Sequence, residues 1–142
     1  MDKKFIGKIV KISGPVIDCK FDKNNIPPVN SLLCIDGLDK HMEVTLHNGD
    51  GIVRTIALES TEGLYCGIGV YGDGNGITAP VGDGVIGRSI DVLGRPIDGK
   101  GEINAEKYLP IHRKAPKLIE QKSTTEILET GIKVIDLLVP YA

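Results

Sequence analysis

Residues 82–89, Gly-Asp-Gly-Val-Ile-Gly-Arg-Ser, differ at one position from G-x-x-x-x-G-K-[ST], the pattern whose backbone amides cradle nucleotide phosphates. A working loop of that kind follows a buried strand and opens a helix, whose N-terminal N–H groups and dipole receive the anion. Here Ala79-Pro80-Val81 precede it, and a proline argues against a central strand. Ser89 to Gly94 nearly alternate and stop at Gly94-Arg95-Pro96, which predicts strand and turn rather than helix. Arg88 also stands where a compact lysine ammonium is needed, and a planar guanidinium is a poor substitute between phosphates. The residues therefore read as a glycine-rich turn. Gly67, Gly69 and Gly72 satisfy the dinucleotide pattern G-x-G-x-x-G, but Asp73-Gly74-Asn75-Gly76 follow where a helix should begin. That match reads as a strand running into a loop.

Other chemistry is equally sparse. His41, His47 and His112 lack metal-ligand spacing, and Cys19, Cys34 and Cys66 form no CxxC pair. The three thiols read as small buried strand residues in a reducing cytosol, with Cys19 facing the interior. No catalytic, cofactor-binding or metal-ligating residue is assigned anywhere in the chain. A net charge of −2 without a basic stripe, together with 4% aromatic residues, disfavours nucleic acid. No apolar run approaches the ~20 residues of a membrane span. The strand pattern begins almost at Met1, which leaves no room for a targeting peptide.

The elements that would position any site are short and numerous. In 142 residues there are 18 glycines and 8 prolines, a balance that favours strands joined by turns over long helices. Residues 5–12 form a first β-rich run, closed by Ser13-Gly14-Pro15. In the next, Ile17, Cys19 and Phe21 point one way while Asp18 and Lys20 point the other. Residues 31–35 make a third run. Met42, Val44 and Leu46 alternate with Glu43 and Thr45 in a fourth, and Asn48-Gly49-Asp50-Gly51 predicts a tight hairpin into residues 52–58. Residues 64–71 make the sixth. Six short strands at this spacing suggest a small antiparallel barrel, although an open sandwich fits the same pattern. Residues 72–76 are the best boundary, giving a barrel domain over residues 1–75 and a second unit over residues 76–142.

Residues 108–122 carry Pro110, Pro116 and mixed charge without periodicity, and they predict an extended connector. Ile132, Ile135 and Val139 share one face of a short helix. Thr130 is placed to cap its start and Pro140 to end it. That apolar face predicts self-association of the chain through residues 127–139.

The last stretch, EILETGIKVIDLLVPYA, resembles the ATP synthase beta subunit family just ahead of its phosphate-binding loop. Other stretches follow in the family's order: GKIVKISGPVIDCKF, VRTIALESTEGL, GVIGRSIDVLGRPIDGKGEI and PIHRKAP. The related alpha subunit shares LGRPIDGKG but reads differently before the phosphate loop.

The resemblance implies a mainly β chain: a six-stranded antiparallel N-terminal barrel, then the truncated start of an α/β nucleotide-binding domain. In the family the barrel joins an alternating ring of alpha and beta subunits around a central stalk. The parent, by the same resemblance, makes or hydrolyses Mg-ATP at the cytoplasmic face of a membrane as part of a peripheral, proton-translocating complex. The family's phosphate loop, Mg²⁺-binding carboxylates and adenine-stacking aromatics map onto no residue here. Alternatives are a stand-alone assembly module without chemistry of its own, or a related rotary or secretion ATPase subunit. An OB-like nucleic-acid binder is disfavoured by the charge balance.

Overall fold

The structure, a computed structural model, describes residues 3–120 and 127–141. Six antiparallel strands close into a barrel: β1 (Phe5–Ser13), β2 (Val16–Phe21), β3 (Leu32–Ile35), β4 (His41–Gly49), β5 (Ile52–Ala57) and β6 (Gly69–Gly72). Around the barrel they run β1-β2-β5-β4-β3-β6, with β6 pairing back onto β1. Closure settles the choice between barrel and sandwich, and it leaves no unpaired edge.

The alternation read from sequence fills the interior. Ile9, Ile17, Leu33, Ile35, Met42, Val44, Val53 and Val70 are each no more than 1% exposed, and Phe21 caps the same cluster. Burying side chains of this size stabilises the fold by roughly 1.5–3 kcal/mol apiece. Thr55 is the one polar side chain among the fully buried residues that lines this core, and its hydroxyl is satisfied. It donates to the Ile17 carbonyl oxygen at 2.9 Å and approaches Met42 Sδ at 3.1 Å.

Two features of the barrel depart from the expected pattern. Leu46 does not continue the inward face of Met42 and Val44 and is 40% exposed. The register shifts between Val44 and Leu46, so one extra residue in β4 flips the side chains beyond it. The sixth strand is also shorter than residues 64–71, because residues 62–67 turn and pairing starts at Gly69. Gly67 amide donates to the Ile9 carbonyl oxygen at 2.8 Å as the chain comes into register. The hairpin between β4 and β5 forms as predicted, with Asp50 and Gly51 as its two loop residues, both at positive φ. A side chain at Gly51 would also meet the Phe21 carbonyl oxygen at 2.5 Å.

Beyond the barrel, β7 (Thr78–Val81) pairs antiparallel with β8 (Lys107–Pro110). Pro80 therefore lies in a two-stranded ribbon, not in a central strand, and Tyr108 to Pro110 are not extended connector. Two strands are all this ribbon has, and Ile111 amide donates to the Ile77 carbonyl oxygen at 3.1 Å. Counting alternate pairs from there puts Pro80 and Pro110 at positions needing no amide donor. Residues 121–122 of the expected connector lie outside the described residues.

Ser89 to Gly94 form no strand. Ile90 makes an isolated bridge to Pro96, and Asp91 closes the turn between them. The helix is α1 (Lys133–Leu138), which stops two residues before Pro140. Thr130 does not cap it; Ile132 occupies that position without a side-chain bond. Thr130 hydroxyl instead donates to Asp136 Oδ1 at 2.6 Å, and the Thr130 and Gly131 amides donate to the same carboxylate.

Candidate functional site

The densest polar constellation joins the barrel to the segment after it, and it is built around Arg95. Its Nε donates to Asp91 Oδ2 at 2.6 Å, its Nη1 meets Asp39 Oδ2 at 3.1 Å, and its Nη2 meets Glu59 Oε1 at 3.5 Å. Asp91 holds the turn that aims this guanidinium. Its Oδ1 accepts the Leu93 amide at 2.9 Å and the Arg95 amide at 2.8 Å. The turn requires Gly94 at φ +78°, and a side chain there would strike Pro80 Cδ at 2.7 Å. Glu59 in turn accepts the His41 amide at 2.7 Å and lies 3.1 Å from His41 Nδ1. Burial alone would raise the Asp91 carboxyl, but donors from Arg95 and Leu93 outweigh it and hold the group below its ordinary value.

A second tie runs parallel to this one, where His112 Nε2 meets Glu43 Oε1 at 2.7 Å. Beside the Arg95 constellation lies an open cleft of about 570 Å³, with Leu32, Asp39 and His41 on the barrel side and Thr78, Leu93 and Arg95 among its other lining residues. Of the titratable groups lining the cleft, Asp39 and His41 are engaged with Arg95 and Glu59, and Asp73 Oδ1 accepts the Asn75 amide at 2.9 Å. Arg95 already faces three carboxylates, and among the described residues no cluster of three or more His, Cys, Asp or Glu could hold a metal ion. Its arrangement suits mechanical coupling: charged pairs, two of them between elements far apart in sequence, fix the following segment against the barrel rim.

The phosphate-loop look-alike is a short 3-10 turn, Asp83–Val85, with extended backbone at Ile86 and no α-helix after it. Arg88 points away from any cradle into a bidentate pair with Asp98, Nε to Oδ2 at 2.6 Å and Nη2 to Oδ1 at 3.0 Å. Its remaining N–H groups donate to the Gly101 and Glu102 carbonyl oxygens. Those bonds, Arg88 foremost, hold the Asp98 carboxyl far below the ordinary range. The other glycine pattern, residues 67–72, runs into β6 inside the barrel wall.

Asp18 was read from sequence as an outward residue. It does face out, yet it is only 8% exposed, because Arg54 lies directly across the β2–β5 ladder. Arg54 Nε reaches Asp18 Oδ1 at 2.8 Å and Nη2 reaches Oδ2 at 3.2 Å, which lowers the carboxyl's pKa. The expectation of three buried thiols is corrected at one position. Cys19 and Cys34 are buried, whereas Cys66 is exposed, with its Sγ donating to the Val10 carbonyl oxygen at 3.4 Å. The shortened sixth strand leaves Cys66 in the turn before it. Burial pushes the Cys19 thiol up to about 12.

Sequence reasoning missed the Arg95 constellation. Asp39 and Glu59 lie 56 and 36 residues from Arg95, and nothing local announces such partners. The available signal was Asp91-Val92-Leu93-Gly94-Arg95, an acid–turn–base spacing that closes on itself.

The described residues thus form a closed barrel and an ionic seam that ties the next segment to it. Residues 9–72, which run from within β1 to the last residue of β6, match the model for the ATP synthase alpha/beta family, beta-barrel domain, so the barrel is similar to that domain.

Proposed function

We propose that this chain is the barrel-bearing N-terminal part of the catalytic beta subunit of a rotary, proton-translocating ATP synthase. Its work there is assembly. The barrel takes its place beside alpha-subunit barrels in an alternating ring, around the central stalk of a peripheral complex on the cytoplasmic face of the membrane. Mg-ATP and ADP are handled by parts of the parent that have no counterpart among these residues. The observation carrying the finer assignment is the stretch EILETGIKVIDLLVPYA, which separates beta-type from alpha-type subunits and stands in order behind a barrel of the matching family.

The test is direct mixing. Sedimentation of the chain with purified alpha subunit, without nucleotide, should give a mixed species absent from either protein alone. Two unchanged boundaries at concentrations up to about 100 μM, where even a weak contact would register, would count against the assignment.

A further inference from the structure

The sequence holds two asparagine–glycine pairs, Asn48-Gly49 and Asn75-Gly76. In such a pair the glycine nitrogen, with no side chain beside it, can attack the asparagine side-chain carbonyl wherever the local backbone is free to swing. The fold treats the two pairs differently. Asn75 is pinned on both sides: its amide donates to Asp73 Oδ1 at 2.9 Å, its carbonyl oxygen accepts the Leu32 amide at 2.8 Å, and Gly76 bridges to Ser31. A side chain at Gly76 would meet the Asn30 carbonyl oxygen at 2.8 Å, so the backbone there has little room to turn.

Asn48 is in the opposite condition. β4 leaves the core after Val44, and every residue from Thr45 to Gly49 is exposed. The pairing with β5 slips between His47 and Gly49, so Asn48 is a bulged residue with no partner across the ladder. Gly49, at φ +86°, pairs with Ile52 in the last rung before the turn. Freeing its nitrogen requires only that end rung to open, which costs far less than opening the barrel. The aspartate–glycine pairs compete poorly, because an ionised carboxylate is a weak electrophile. Asp98, ahead of Gly99, is moreover locked to Arg88 in its ionised form.

We infer that Asn48-Gly49 at the tip of the β4–β5 hairpin is a modification site, where the folded chain deamidates spontaneously with water as its only co-reactant. The Gly49 nitrogen loses its proton to solvent base and bonds to Asn48 Cγ, closing a cyclic imide. The Cγ–Nδ2 bond breaks, and Nδ2 takes up a proton and leaves as ammonia. Water then opens the imide. Cleavage at Cγ gives an ordinary aspartate, and cleavage at the main-chain carbonyl carbon gives the β-linked isoaspartate; nothing is oxidised or reduced. Either product adds a carboxylate to the bulge, and the second also adds a methylene to the β4 backbone. The change falls beside the contact between this hairpin and β2, where the Phe21 amide donates to the Gly51 carbonyl oxygen at 2.8 Å and Lys23 Nζ meets Asp50 Oδ1 at 2.8 Å.

The experiment ages the purified chain at physiological temperature, folded at neutral and at mildly alkaline pH, and unfolded in urea. Peptide mapping by mass spectrometry follows amide-to-acid conversion at each asparagine, and an isoaspartyl methyltransferase with labelled S-adenosylmethionine counts the β-linked product. In the folded chain Asn48 should convert about tenfold faster than Asn75, or more, because only its backbone opens at small cost. In urea, where the fold no longer separates the pairs, the two should convert at similar rates. Conversion of folded Asn48 should quicken with pH, because the attacking nitrogen must give up its proton. Equal rates at Asn48 and Asn75 in the folded chain would overturn the inference. So would a folded Asn48 that stays intact over the time in which the same residue in urea is converted.

Discussion

Replacing Arg95 with methionine keeps the length and apolar stem of the side chain and removes its charge from the seam. Its contacts differ in value. The Asp39 pair involves a carboxylate side chain that is 82% exposed, and after solvent screening it contributes roughly 0.2–0.5 kcal/mol. Glu59, at 3.5 Å, adds a similar amount. The Asp91 contact is shorter, 2.6 Å, with Asp91 only 23% exposed. Because Arg95 itself is 45% exposed, about 1 kcal/mol is a fair discounted value for that bond. The seam should thus lose about 1.5–2 kcal/mol, which corresponds to a ten- to thirtyfold rise in local opening. Amide hydrogen exchange reads this site by site. Gly94, whose amide donates to the Asp91 carbonyl oxygen, and Ile97, bonded to that of Ser89, should exchange ten to thirty times faster. Barrel amides such as Val44, bonded to the Ser31 carbonyl oxygen, should keep their protection. Equal acceleration in the barrel would mean that seam and barrel open as one unit. No acceleration at Gly94 would mean that Arg95 contributes nothing to docking. Either result refutes the reasoning.

Other expectations follow from the same contacts. Cys66 should react with a thiol reagent within minutes in the native protein, whereas Cys19, fully buried with its thiol held protonated, should react only on unfolding; native labelling of Cys19 at the rate of Cys66 would contradict the closed barrel. The carboxyls of Asp18, Asp91 and Asp98 are held below their ordinary value, so the stability they provide is present above the ordinary carboxylate range and lost as pH falls through their lowered values. Melting temperature should therefore hold from neutrality to about pH 4 and decline steeply below it, and a decline already complete at pH 5 would point to other groups. Leu137, Leu138 and Val139 are each at least 70% exposed, so the chain should self-associate with rising concentration, and ending it after Lys122 should abolish this without changing the barrel's melting; sedimentation equilibrium showing monomers for both chains would refute it.

The barrel was legible where its strands alternate, and Ile17, Cys19, Met42 and Val44 fell where alternation put them, while β3, buried along its whole length, showed only as a short apolar run. The pattern failed where a single inserted residue reversed it. Leu46 is apolar and in phase, and only the β4–β5 register shift, a property of two strands together, turns it outward. Pro80 argued rightly against a central strand but not against a strand of any kind: a proline excludes a strand only where the amide is needed, and that depends on a partner about thirty residues away. Thr130 carries the right side chain for a cap, but the Asp136 carboxylate competes for it across one helical turn. The seam lay beyond local reading, because Arg95, Asp39 and Glu59 become neighbours only once the barrel has closed. The rejection of residues 82–89 as a phosphate loop rested on local chemistry alone, on Pro80, Arg88 and the turn at Gly94, and the structure turns the chain there without a helix.

The central claim is that this chain acts through its barrel as a ring component. The measurement that tests it most directly is competition during reassembly of dissociated alpha and beta subunits. Added at about tenfold molar excess, enough to outcompete a partner of comparable affinity, the chain should occupy alpha-subunit barrels and lower the recovered ATPase activity in proportion to its incorporation. Full recovery of activity at that excess, with none of the chain found in the assembled complex, would contradict the account.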